Sequence, residues 1–229
     1  MYAITSEPQS LADQAYEHWE LSFENIGDPH HEIPRVCDQR GWLTLYTNQG
    51  DQTFLQRGAD WKVEHPKGFF QPGVLVLSST SQVLYRWRSV PSEENLNGTL
   101  ARPTPAHVWS CIEQALAADL VVDALLDENP EIDASPPPRW IFMAALIANG
   151  WFLGLKSFVY SPGVAPTPQR FAKAFKRWPV FIALWVVAFV ALPGTLVSAA
   201  AIAWVLWIGR DIRSTWKAMD VQVEIKSRL

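Results

Sequence analysis

Residues 178–209 read WPVFIALWVVAFVALPGTLVSAAAIAWVLWIG, and from Pro179 to Gly209 no side chain is charged. One continuous helix of that length would run roughly 46 Å, well beyond the ~30 Å hydrocarbon core of a bilayer. Pro193-Gly194 stands in the middle of the run. A proline disfavours helix at the residue before it, so the stretch predicts two helical arms folded as a hairpin. Lys173, Lys176 and Arg177 precede the run, and Arg210, Arg213 and Lys217 follow it. A hairpin places both clusters on one side of a membrane, as the positive-inside tendency requires, whereas a single span would strand one of them.

The rest of the chain divides around this run. Residues 1–138 hold 8 basic and 20 acidic side chains, a net charge of −12. Residues 139–229 hold 11 basic and 3 acidic ones, a net of +8, together with 7 of the 12 tryptophans. Such asymmetry implies two parts in two environments, an acidic soluble one and a basic one beside an anionic lipid surface. Because the basic residues sit beside apolar segments, nucleic acid is not the expected partner; membrane lipids are. Residues 129–139 read as an acidic, proline-rich linker. WIFMAALIANGWFLGLKSFVY, residues 140–160, is long enough to span but carries Asn149, Gly150 and Lys156, which leaves a span and a surface-lying segment both open. TPQRFAKAFKRW, residues 167–178, is basic and amphipathic, and 210–229 reads as a basic tail.

In the first half, residues 6–19 read as a helix capped by Ser6 with Leu11, Ala12, Ala15 and Trp19 on one face. A short strand follows within LSFENIGD, and Asp28-Pro29 opens a second helix in which Pro34 is awkward. Residues 42–67 read mostly as loop. GVLVLS and QVLYRWRS read as a hairpin, and TPAHVWSCIEQALAADLVVDALL as an amphipathic helix capped by Thr104. No glycine-rich phosphate loop or Ser/His/Asp signature occurs. His30, His31, Glu32 and Cys37 match no zinc-ligand spacing, so no metal and no cofactor are expected. Cys37 and Cys111 form no disulfide framework; each reads either as a working thiol or as a small packed residue on a helix.

YAITSEPQSLADQAYEHWELSFENIGDP and QPGVLVLSSTSQVLYRWRS together resemble the peroxiredoxin-like proteins of the AhpC/TSA group, over roughly the first half of the chain. The resemblance implies an α/β, thioredoxin-like fold over 1–128, incomplete at its start and followed by the membrane region at 140–229. It places Pro72 at the active-site cis-proline, with Gln71 beside it and Arg102 of ARPTP near the thiolate. It also implies thiol–peroxide or thiol–disulfide chemistry, in which a thiolate attacks the peroxide and the resulting sulfenic acid is resolved by a second thiol. That family's reactive cysteine begins a helix after a first strand, and no cysteine here holds that position. The expectation is therefore a truncated, membrane-tethered redox protein served by a thiol reductant. The alternative is a non-catalytic membrane protein that uses a degenerate thioredoxin fold to bind a partner membrane protein. MYAITSEPQS has neither the basic nor the apolar region of a signal peptide, which places the soluble part in the cytoplasm, at a bacterial inner membrane.

Overall fold

The computed structural model describes residues 1–51, 62–98, 101–118, 122–132, 137–158 and 165–226. It is a mixed α/β chain with two helices long and apolar enough to cross a membrane. Strand β1 (Tyr2–Thr5), helix α1 (Gln9–His18) and strand β2 (Glu24–Gly27) form a right-sized crossover unit, and the two strands pair in parallel. Helix α1 begins after Pro8 without a side-chain cap. Ser6, expected to cap it, is buried and turned elsewhere: its Oγ accepts the Phe70 N–H at 3.1 Å.

Helix α2 (Glu32–Gln39) starts later than the sequence suggests. The Asp28 carboxylate accepts the Glu32 and Ile33 N–H groups at 2.8 and 2.9 Å, satisfying donors that a first turn leaves open. Pro34 then falls within that first turn, where a missing N–H costs nothing.

Strand β3 (Tyr46–Asn48) lies inside the stretch read as loop; residues 52–61 of that stretch lie outside the described residues. Strand β4 (Phe69–Phe70) pairs with it. Strands β5 (Gly73–Leu77) and β6 (Val83–Arg88) form the expected antiparallel hairpin, turned at Ser78–Ser81. A 3-10 turn, Leu96–Gly98, leads toward helix α3 (Pro105–Ala117). Thr104 Oγ1 accepts the His107 N–H at 3.1 Å, so the sequence cap is the structural one. The helix is shorter than the sequence pattern, because residues 123–127 run extended beside β6, with Ala124 and Asp127 N–H donating to Val83 and Arg86 carbonyls.

Helix α4 (Arg139–Asn149) has 11 residues, about 16 Å, too short to span. Met143, Ala145, Leu146, Ile147 and Ala148 are buried in it, so it is a core helix of the second half. Helices α5 (Thr167–Phe175) and α6 (Arg177–Ala191) are almost continuous, and α7 (Gly194–Met219) follows the break at Leu192-Pro193. Strand β7 (Gln222–Glu224) pairs antiparallel with β3. Of the residues read as a basic tail, 210–226 hold the end of α7 and the edge of a sheet, order β4-β3-β7, that belongs to the first half; 227–229 lie outside the described residues. Among the described residues the strands form three separate small sheets.

Candidate functional site

The apolar run folds back on itself. Leu192 is extended, as a residue before proline is, and α7 begins at once beyond it. Phe181, twelve positions before Pro193, packs its ring 5.0 Å from that of Trp204, eleven positions after it, so the arms run antiparallel. Phe181 also stacks on Phe152 at 3.9 Å, and Trp204 Nε1 donates to the Phe152 carbonyl at 2.7 Å. The hairpin base is therefore packed on α4 and the turn after it. Apart from Val197, the rest of both arms is largely bare. Only 6% of the apolar window in Thr167–Ala191 and 11% of that in Gly194–Met219 are buried. Val180, Leu184, Val187, Val190, Leu196 and Leu206 are all more than half exposed. Core helices bury their apolar faces, and soluble proteins rarely leave contiguous apolar surface bare. Arg177 and Arg210 sit at the base, with guanidinium groups over Trp151 at 4.1 Å and Trp207 at 5.4 Å.

A polar junction joins the end of α7 to the first half. Arg139, 4% exposed at its side chain, meets the Asp220 carboxylate at 3.1 Å and donates to Asn97 Oδ1, and its guanidinium lies 4.5 Å over Trp216. Asn97 Nδ2 donates to the Met219 carbonyl and to Asp220 Oδ1, both at 2.6 Å. Asn48 Nδ2 reaches the same Met219 carbonyl at 3.2 Å. Arg88 and Glu224 form an ion pair at 3.2 Å. Buried polar groups must be partnered, and here four separated stretches of chain, around Asn48, Asn97, Arg139 and Asp220, partner one another.

Gln71 belongs to this junction. It is fully buried, its N–H donates to the Tyr46 carbonyl at 2.8 Å, and its Nε2 donates to Gln222 Oε1 at 3.0 Å. Pro72 directly precedes β5 and follows a trans peptide bond, since no cis bond occurs among the described residues. That corrects the cis-proline expected there; an edge position needs no N–H donor, which is reason enough for a proline. Arg102 lies on the exposed side of its loop and donates to the Ala101 carbonyl at 2.9 Å.

The two cysteines are free thiols on different helices. Cys37 is in α2, and burial pushes its thiol up from the ordinary range. Cys111 is in the middle of α3, one turn after His107, and burial followed by the Asp127 carboxylate pushes it up as well. Neither stands at a helix N-terminus, where the helix field would favour thiolate. His31 is buried, its Nε2 3.3 Å from the Gly68 carbonyl and its ring 4.8 Å from Phe70.

His31 and His65 line an open cleft of about 700 Å³ with Arg35, Lys67 and Asp51. Ser6 Oγ lies 2.8 Å from His65 Nδ1. Desolvation lowers His65 to about 4, and burial lowers His31, so both rings are neutral near pH 7. Ser6 and His65 are 59 residues apart, and no spacing rule joins them. Comparison with protein-family models, with curated proteins and with solved structures returns no match for this chain.

Proposed function

We propose that the chain is a membrane-anchored, non-catalytic interaction protein. The α6–α7 hairpin sits in the bilayer, and the degenerate thioredoxin-like half is held at the lipid surface as a docking module for a partner membrane protein. The observation that carries this reading is the bare apolar surface of both arms above a base that carries Arg177 and Arg210. Each apolar arm is about 15 residues, or roughly 22 Å, short of the ~30 Å core. Local thinning and arginine snorkelling accommodate such a mismatch. The positive-inside tendency then puts the base, and the soluble half joined to it, on the cytoplasmic face of a bacterial inner membrane. The raised thiols and the trans Pro72 favour binding over thiol catalysis.

Reconstitution into phosphatidylcholine–phosphatidylglycerol vesicles, followed by flotation and alkaline extraction, tests the anchor. The full chain is expected to float and to resist extraction. Leu184→Lys places a charge on an exposed position in the middle of α6. It is expected to weaken retention, since a lysine near the helix centre costs about 3 kcal/mol. A wild-type chain that stays in the aqueous phase would sink the reading.

A second reading, thiol-based peroxide reduction, draws support from the β1–α1–β2 unit, the β5–β6 hairpin and the packing of α3 on β6 in the order the resemblance implies. Peroxide consumption by the full chain with a dithiol reductant, abolished in Cys37→Ser or Cys111→Ser, would favour it over the docking role.

A further inference from the structure

We propose that His107, Cys111 and Asp127 bind a borderline-soft divalent cation of the zinc type. The three residues come from two elements. His107 and Cys111 are four apart on α3, so they share one face. Asp127 lies in the extended segment fastened along β6, where its N–H donates to the Arg86 carbonyl at 2.9 Å and Leu126 bridges Arg86. Helix α3 packs on that same strand through Val108, Cys111, Ile112 and Ala115. The fold, and not a flexible loop, therefore sets the distance between the helix pair and the carboxylate.

One nitrogen, one thiol sulfur and one carboxylate oxygen lie within 4.8 Å of one another, and the nitrogen–sulfur edge is close to tetrahedral spacing. Cys111 Sγ is 3.7 Å from His107 Nε2. Ligand bonds of about 2.0 Å to nitrogen and about 2.3 Å to sulfur, at a tetrahedral angle, predict about 3.5 Å for that edge. His107 Nε2 is 2.8 Å from Asp127 Oδ2, a hydrogen bond that metal entry would open by about half an ångström. Cation binding at Nε2 would shift that bridging proton to Nδ1 and release the Cys111 proton to solvent, and the cation's two positive charges would balance the thiolate and the carboxylate.

The surroundings are those of an outer shell. Tyr85 OH donates to Asp127 Oδ2 at 2.9 Å, and the Asn129 N–H donates to Oδ1 at 3.2 Å. The His107 ring meets the Tyr85 ring edge-on, with centroids 6.4 Å apart, which fixes the imidazole plane. Ligating carboxylates are commonly held this way. The side chains of His107 and Asp127 are 24% and 19% exposed, so an ion has access and a water can take the fourth position.

Cobalt(II) titration of the full chain in detergent tests the site, since cobalt reports sulfur ligation and tetrahedral geometry in its absorption. The expected result is one equivalent bound, with a sulfur-to-cobalt charge-transfer band. Cys111→Ser is expected to lose that band and Cys37→Ser to keep it, while Tyr85→Phe weakens affinity about tenfold. A second measurement needs no variant: zinc should protect Cys111, but not Cys37, from alkylation, and a chelator should restore the reaction. Absence of stoichiometric binding, a band that survives Cys111→Ser, or zinc-independent alkylation of Cys111 would overturn the proposal.

Discussion

Asn97 is the residue on which the junction between the two halves turns. Its backbone is left-handed, with φ of 56°, a region asparagine tolerates and alanine does not. Its side chain accepts from Arg139 and donates to the Met219 carbonyl and to Asp220. Asn97→Ala removes all three bonds. The Met219 carbonyl keeps Asn48 and Gln222 as donors, but Arg139 stays buried with one partner fewer. An unsatisfied buried group of this kind costs about 1–3 kcal/mol, and left-handed strain adds about 1–2. The expected total is about 2–5 kcal/mol. At roughly 2–4 °C per kcal/mol for a chain of this size, the midpoint of thermal unfolding falls by about 4–20 °C. Asn97→Gly separates the two contributions, because glycine loses the bonds but carries no strain. After its greater unfolded-state freedom is counted, it should lie about 0.5–1 kcal/mol above the alanine variant. The assay is circular dichroism and tryptophan fluorescence in one detergent for all three proteins. An alanine variant within about 2 °C of wild type, or a glycine variant below the alanine one, would refute the reasoning.

Two further outcomes follow from local geometry. Desolvation holds His65 at about 4, below its ordinary value of about 6.5 in an unfolded chain. The unfolded state then binds more protons between those values, so stability is full above about pH 6.5 and falls by up to about 3 kcal/mol as pH drops toward 4. Glu7, raised by burial, opposes this slope, since its contribution is lost as pH rises. Denaturant midpoints across that window should show a flatter dependence in His65→Gln, and an unchanged slope would contradict the assignment. Gly50 packs against the end of α7, and a Cβ there would stand 2.6 Å from the Ala218 carbonyl carbon. Backbone cannot yield as a side-chain tip can, so Gly50→Ala should cost at least about 1–3 kcal/mol. Limited proteolysis would read it as earlier release of the segment around β7, and protection equal to wild type would argue against the contact.

The parts legible in the sequence are those that a few neighbouring residues decide. Thr104 caps α3 because a hydroxyl three positions before His107 N–H reaches it whatever the rest of the chain does. The hairpin break at Leu192 follows from the proline beside it, and the bare apolar arms follow from a run without charge. Alternation over Val83–Arg88 specifies a strand for the same local reason. What failed was also local in its logic: Ser6 looked like a cap because of its type and place, but the neutral His65 ring and the Phe70 N–H compete for its hydroxyl.

Long-range closure decided the rest. Strand β7 is three residues long and has no pattern of its own; it becomes a strand because β3, more than 170 positions earlier, offers an open edge. Asn97, Arg139 and Asp220 are ordinary polar residues until the fold removes them from water together, after which each needs the others. His107 and Cys111 carried a readable signal, four apart on one helix face, but the third donor, Asp127, arrives only through the segment laid along β6. The sequence alone determined which stretches avoid water and where helices begin and break, because solvation and capping act over a turn or two. Only the tertiary structure decided that the two halves are joined at a buried polar junction, and which donors face one another, because those contacts gain free energy only once distant segments have been brought into place.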